Sequence, residues 1–88
     1  MKFLYKDLSA REAGDRIRFT ISGNAMNVRL LTASNFAAYK AGRRFESYGG
    51  QTTQSPVVLA IPSAGHWYGV VDFGGNAGNS RVAIEVLS

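Results

Sequence analysis

The stretch "RIRFTIS", residues 16–22, alternates strictly between polar and apolar side chains. Its two isoleucines and its phenylalanine share one face, because successive side chains of a strand point to opposite sides. This pattern is typical of a half-buried antiparallel strand. Alternation resumes in "NVRL", residues 27–30, after a glycine and an asparagine. The two segments are therefore predicted to form a hairpin that turns at residues 23–25.

A second alternating stretch, "GHWYGVVDF", lies at residues 65–73. Trp67 shares its face with two apolar side chains further along the strand and is predicted to be buried. A glycine-rich loop follows at residues 74–79, and "VAIEV", residues 82–86, alternates again. These segments predict a second hairpin.

Between the hairpins, the hydroxyls and the amide of "TASN" can cap a short helix, which is predicted over Asn35 to Ala41 and stopped by Gly42. This helix is expected to plug one end of the sheet structure. Short strands are predicted around it, at residues 2–6, 44–48 and 57–61, the second of them ending at a glycine pair that precedes a polar loop over residues 51–54.

Six or seven short strands with glycine-marked turns predict a mainly β fold, namely a small antiparallel β-sandwich or a partly closed barrel with one short helix. A chain of 88 residues accommodates one hydrophobic core. We therefore expect a single domain over residues 1–88.

The composition narrows the classes of function. Cysteine is absent, which favours a reducing compartment, and no segment has the pattern of a signal peptide or a membrane span. We therefore expect a soluble, cytoplasmic protein that does not bind membranes. The net charge of +4 is too small to predict strong binding to duplex nucleic acid. The basic run "KAGRR", residues 40–44, is more typical of a solvated turn at a helix C-terminus.

The sequence predicts no catalytic residues, no metal site and no cofactor. There is one histidine, His66, and no cysteine, and neither a G-x-S-x-G nor a phosphate-binding motif occurs. His66, Tyr68 and Asp72 are expected on the face opposite Trp67, but His66 and Asp72 are too far apart along one strand to form a pair. A small hydrolase or lyase with His66 as general base is the alternative function, and it needs a partner from another strand.

A binding module is the function that the sequence favours, with either a small anionic ligand or a protein as partner. Two arginines after the helix can grip a phosphate or carboxylate with parallel hydrogen bonds. Outward apolar positions at Leu4, Leu31, Val58 and Val70 indicate either packing under the helix or the second sheet, or a homo-oligomer. The candidate ligand-binding residues are Asn24, Asn27, Arg29, Arg43, Arg44, His66 and Tyr68.

Five segments in this order, "SGNAMNVRLLTASNF", "YKAGRRF", "YGG", "QSPVVLAIPSAGHWYGVVDFGG" and "GNSRV", resemble a bacterial family called domain of unknown function eighteen eighty-three. The resemblance covers nearly the whole chain, and its most specific part is residues 55–75. It implies a compact, mainly β domain without assigned biochemistry. It further implies a domain that occurs alone or fused to modules such as TIR-type domains, as a sensor or adaptor would be. The family brings no catalytic residues to this chain.

Overall fold

A computed structural model describes residues 3–22, 26–52, 54–72 and 81–87 of the protein. Seven strands and one helix lie in these ranges, and every strand pairs antiparallel to its neighbours. In chain order, the elements are β1 (Phe3–Arg11), β2 (Arg16–Ser22), β3 (Met26–Thr32), α1 (Ala33–Lys40), β4 (Tyr48–Thr52), β5 (Val57–Ala60), β6 (Gly65–Asp72) and β7 (Arg81–Val86).

The strands form two sheets. One has four strands in the order β1-β6-β3-β4, and the other has three in the order β5-β2-β7. The prediction of a small, mainly β, antiparallel sandwich with one short helix is confirmed, and the described sheets do not close into a barrel.

Both predicted hairpins are wrong. β2 pairs with β5 and β7, whereas β3 pairs with β4 and β6, so β2 and β3 lie in opposite sheets. β6 and β7 are separated in the same way. Placing successive half-apolar strands in facing sheets buries their apolar faces against each other, and alternation alone does not distinguish this from a hairpin. The connecting residues 23–25 and 74–79 lie outside the described ranges.

The main core lies between the two sheets. Ile17 and Phe19 of β2 are buried against Leu30 of β3 and against Trp67 and Val71 of β6. Trp67 is buried, as predicted, and its indole N–H donates to the carbonyl oxygen of Ser63 at 2.8 Å. Tyr68, the next residue, is half-buried on the opposite face. The assignment of the two faces of this strand is therefore confirmed.

Strand β4 begins at Tyr48, where the predicted strand ends. The glycine pair lies inside the strand, and the first half of the predicted polar loop continues it. Gly49 has φ +118°, and a Cβ at this position would clash with the carbonyl oxygen of Val28 on β3. Only glycine allows β4 to approach β3 so closely, which explains a glycine inside a strand.

Helix α1 starts two residues earlier and ends one residue earlier than predicted. Thr32 is its N-cap, and its hydroxyl accepts from the N–H of Asn35. At the other end Gly42 has φ +73°, and the N–H groups of Gly42 and Arg43 donate to Tyr39 and Ala38 respectively. These two bonds form a Schellman motif, which ends the helix at this point.

The helix does not plug an end of the sheets. Its buried residues Phe36 and Tyr39 pack on Leu31 and Val70, which are fully buried on the outer face of the four-stranded sheet. Packing under the helix therefore explains Leu31 and Val70, whereas Leu4 and Val58 stay exposed. The prediction that Leu4 points outward is wrong, because Leu4 is opposite Val71 and shares its inner face. In the part of the chain that the structure describes, no helix has the length and apolarity needed to cross a membrane.

Candidate functional site

The outer face of the four-stranded sheet carries α1, and we call it the helix-side face. The alternation of β1, β3 and β6 and their register bring side chains from all three strands onto it. Four of the seven predicted site residues lie here, at Asn27, Arg29, His66 and Tyr68. Arg43 and Arg44 follow the helix, and Asn24 lies outside the described residues. The strand residues of the helix-side face are Phe3, Tyr5, Asp7, Asn27, Arg29, Leu31, His66, Tyr68, Val70 and Asp72.

A buried carboxylate organises one part of this face. Asp72, which is 2% exposed, accepts from the side-chain amide of Asn27 at 2.8 Å. Its other oxygen accepts from Nε of Arg29 and from the hydroxyl of Tyr39, each at 3.0 Å. These four residues, the Asp72 cluster, join β3, β6 and α1. Buried charges in proteins are stable when they are paired and hydrogen-bonded in this way.

The charge of the cluster is set by these contacts. Burial disfavours the carboxylate of Asp72, but the hydrogen bonds from Asn27, Arg29 and Tyr39 outweigh it and hold the pKa of Asp72 below its usual range. Burial, together with the hydrogen bond to Asp72, raises the pKa of Tyr39 well above its usual range. Asp72 is therefore a carboxylate and Tyr39 a neutral donor at neutral pH.

Arg29 is also held from its other side. Its Nη1 donates to the hydroxyl of Ser47 at 3.2 Å, and its guanidinium carbon lies 5.4 Å from the ring centroid of Phe45. Asn27 and Arg29 thus each donate side-chain hydrogen bonds within the protein, which favours a structural role for both. Their function as ligand contacts stays a prediction.

Arg43 and Arg44 lie at the exposed turn that follows α1. Among the described residues, neither guanidinium has an ion-pair partner or a hydrogen-bond acceptor. Phe45 comes directly after them and packs edge-to-face on Tyr39, with ring centroids 5.0 Å apart. The turn is therefore anchored next to the Asp72 cluster, while its two cations face solvent.

Stacked rings form the other part of the helix-side face. Tyr68 lies between Phe36 and His66, with centroid distances of 4.2 Å and 5.1 Å and nearly parallel planes. Tyr5 contacts Phe36 at 4.9 Å, and the ammonium of Lys40 lies 4.6 Å from the centroid of Phe36. We call Tyr5, Phe36, Tyr68 and His66 the aromatic row. Its ends are open to solvent, since Tyr5 is 56% exposed and His66 is exposed.

His66 has the partner from another strand that the alternative function requires. Oδ1 of Asp7 on β1 lies 2.7 Å from Nε2 of His66. The same oxygen accepts the N–H of Ser9 at 2.8 Å, within an irregularity of β1 where Ser9 has φ +63°. The N–H of Ser9 and then the hydrogen bond with His66 hold the pKa of Asp7 below its usual range.

Three residues of this face are not among the predicted site residues: Asp7, Tyr39 and Asp72. Alternation places Asp72 on this face, as predicted, but does not reveal its contacts with Arg29 and Tyr39. Asp7 shares the parity of Phe3 and Tyr5 along β1, so alternation places it on one face with them. Its contact with His66, however, depends on the pairing of β1 with β6, which the sequence does not reveal. Within the described ranges, no three His, Asp or Glu side chains come together as metal ligands.

The fold and this face define a class: a small antiparallel two-sheet domain in which a helix covers one sheet beside an exposed aromatic row. The model of the family described as domain of unknown function, DUF1883, matches the chain over residues 1–88. The chain belongs to that family, which confirms the resemblance seen in its sequence. Comparison with curated proteins and with solved structures gives no match. Fusion to TIR-type domains and a bacterial origin stay predictions.

Proposed function

We propose that this domain is a binding module that docks a partner protein through the aromatic row. The observation that carries the proposal is that the ring of His66 is both fixed in place and exposed. Its ring is stacked on Tyr68 and hydrogen-bonded to Asp7, yet it is exposed. A ring held in this way presents area to a partner without further ordering.

Pre-organisation matters because association costs side-chain entropy, of about 0.5 to 1.5 kcal/mol for each side chain that has to be ordered. The rings of Tyr68 and His66 are already fixed by their neighbours, and Phe36 below them is buried. Tyrosines are enriched among the residues that dominate protein interfaces, because they combine a rigid apolar ring with a hydroxyl. The aromatic row has these properties.

The charges around the row favour a protein over a small anion. Lys40 lies over Phe36, and Asp7 lies beside His66, so both signs of charge occur at its rim. Mixed rim charges are typical of protein interfaces, where they select the partner and its orientation. A small-anion site built from Arg29, Arg43 and Arg44 is less well supported, because Asp72 already pairs with Arg29. A protein-binding face suits an adaptor.

The experiment is capture followed by reconstitution. Proteins from the source organism that bind the immobilised domain are identified, purified and titrated by calorimetry against the domain and its variants. Tyr5→Ala and His66→Ala are each expected to weaken binding about tenfold or more, as truncating an aromatic residue that dominates an interface does. Leu4→Ala is the matched control, because Leu4 is 47% exposed on the same strand but points to the other face.

The control variant is expected to bind like the wild type. A purified partner that binds the Tyr5→Ala and His66→Ala variants as tightly as it binds the wild type would place its site elsewhere and overturn the proposal. Thermal unfolding of each variant shows that a loss of binding does not reflect a loss of fold.

One observation favours a second candidate function, hydrolysis or elimination with His66 as general base. A carboxylate 2.7 Å from Nε2 can orient the imidazole and accept the hydrogen bond of Nε2–H, which leaves Nδ1 to accept a proton. Hydrolysis of activated esters by the wild type should then fall about tenfold or more in both His66→Gln and Asp7→Asn, given the usual contribution of a positioned base. Equal rates in all three proteins would exclude this function.

A further inference from the structure

The sandwich has two open sides, each formed by the edge strands of both sheets. β1 and β7 form one side, where Nζ of Lys6 reaches across to the carbonyl oxygen of Ile84 at 3.1 Å. β4 and β5 form the other, where a Cβ at Gly49 would lie 3.1 Å from Cδ1 of Leu59. Edge strands expose unpaired backbone N–H and C=O groups, which another chain can pair with.

The β1/β7 side is protected against such pairing. Its strands carry five charged side chains, and the ammonium of Lys6 occupies a backbone acceptor of β7. β1 is also irregular between Asp7 and Ala10, where its register with β6 shifts. Charges and bulges on an edge are devices that prevent association of sheets. The charged residues of this side are Lys6, Asp7, Arg11, Arg81 and Glu85.

The β4/β5 side has none of these protections among its described strand residues. The strand sequences "YGGQT" and "VVLA" contain no charge and no proline. β4 keeps an uninterrupted register with β3 from Tyr48 to Thr52. Tyr48 and Val58 are large apolar residues that remain exposed on this side. Because β5 is bounded by Pro56 and Pro62, β4 is the strand that is open to pairing.

We propose that this side docks a second copy of the chain, through antiparallel pairing of β4 with β4. Two identical strands that pair antiparallel around Gly50 bring Tyr48 opposite Thr52 of the copy. The pairing is two-fold symmetric, as an interface between identical chains requires. An uncharged strand is suited to meet itself, because like charges directly opposite each other in a sheet are destabilising. The two four-stranded sheets become one continuous sheet.

The proposed contact is small. β4 contributes five residues and β5 four, so the interface is smaller than that of a permanent dimer. We therefore expect a weak dimer that forms as the concentration rises.

A two-fold axis perpendicular to the sheet places both aromatic rows on the same side of the dimer. The dimer does not depend on the proposed function of that row.

Gly50 allows a sharp test, because it lies on the proposed axis and a Cβ there meets no atom within 4 Å. Sedimentation velocity is measured from low micromolar to millimolar concentration on the wild type and on Gly50→Thr, Gly50→Lys and Gly50→Glu. For the wild type and for Gly50→Thr, the measured mass should rise with concentration above the 9.5 kDa of one chain, as expected for a dimer. Each charged variant should raise the Kd about tenfold or more, because it places like charges opposite each other. An equimolar mixture of Gly50→Lys and Gly50→Glu should dimerise again.

Leu4→Lys is the matched control, since it adds the same charge to the β1/β7 side and should dimerise like the wild type. Hydrogen exchange of the wild type provides a measurement without any variant: the β4 amides should become more protected as the concentration rises. A wild type that stays monomeric at millimolar concentration overturns the proposal. So does a Gly50→Lys variant that dimerises like the wild type, a mixture of the charged variants that stays monomeric, or β4 exchange that is independent of concentration.

Discussion

Replacing Asp72 by alanine tests whether the buried carboxylate stabilises the join between the sheet and the helix. Asp72 is 2% exposed and accepts three hydrogen bonds, from Asn27, Arg29 and Tyr39. The truncation removes these bonds and leaves a partly buried arginine without its partner. On the helix, the hydroxyl of Tyr39 then loses Asp72 as an acceptor.

The expected loss follows from two bounds. Hydrogen bonds to a charged group contribute about 1.5 to 3 kcal/mol each, and three of them set an upper limit that is not reached because the contributions are not additive. Removing one partner of a buried ion pair typically costs about 3 to 5 kcal/mol. Since Arg29 is 23% exposed and can recover some hydration, we expect Asp72→Ala to lower the free energy of unfolding by about 3 kcal/mol.

Urea unfolding followed by the fluorescence of Trp67, the single tryptophan, measures this loss. Glu85→Ala is the matched control. Arg18 and Glu85 form an ion pair of the same 3.0 Å length on the three-stranded sheet, but both side chains are exposed. That pair is expected to contribute about 0.2 to 1 kcal/mol, as exposed pairs do. If Asp72→Ala costs no more than Glu85→Ala, the reasoning from burial is refuted. In the Asp72→Ala background, Arg29→Ala should cost less than in the wild type, since the pair is already broken.

Three further outcomes are expected. Burial disfavours the charge of Asp72, but its hydrogen bonds hold its pKa below the unfolded value of about 3.9. The carboxylate therefore stabilises the fold above that pH, and this contribution is lost as the pH falls through the folded pKa. Urea midpoints should therefore fall in acid, and less steeply in Asp72→Asn. Trp67→Ala should destabilise the domain by about 3 to 5 kcal/mol, because this side chain is buried. His66→Ala should cost far less, because His66 is exposed. Thermal and urea unfolding followed by circular dichroism measures both losses. Gly49→Ala should cost more in urea than Gly14→Ala, whose cost is about 1 kcal/mol; both have positive φ, but only Gly49 meets a carbonyl oxygen.

Alternation in the sequence predicts which side of a strand is apolar, and here it succeeds. Trp67 lies in the core and Tyr68 outside it, and the spacing of Phe36 and Tyr39 predicts one buried helix face. The same pattern carries no information about which strand pairs with which. Both hairpins are wrong for that reason, although every strand that they contain exists.

The candidate site shows the same division. His66 and Tyr68 share a face, as alternation requires, but the partner of His66 comes from β1 and reaches it beside an irregular residue, Ser9. Two outward apolar residues, Leu31 and Val70, are a sequence signal for a covering helix. That signal is visible in the sequence, yet it is equally compatible with an oligomer. Long-range pairing decides between them, and one sequence does not reveal it.

The order of the strands has a consequence for how this chain is made. Among the described strands, only β3 and β4 are neighbours both in the chain and in a sheet. β1 finds its partner in β6, with Phe3 opposite Asp72, and β2 is completed by β7. Such distant pairings slow folding, because long loops have to close before the contacts that stabilise them can form. During synthesis from the N-terminus, β1 therefore stays unpaired until β6, at residues 65–72, has emerged from the ribosome.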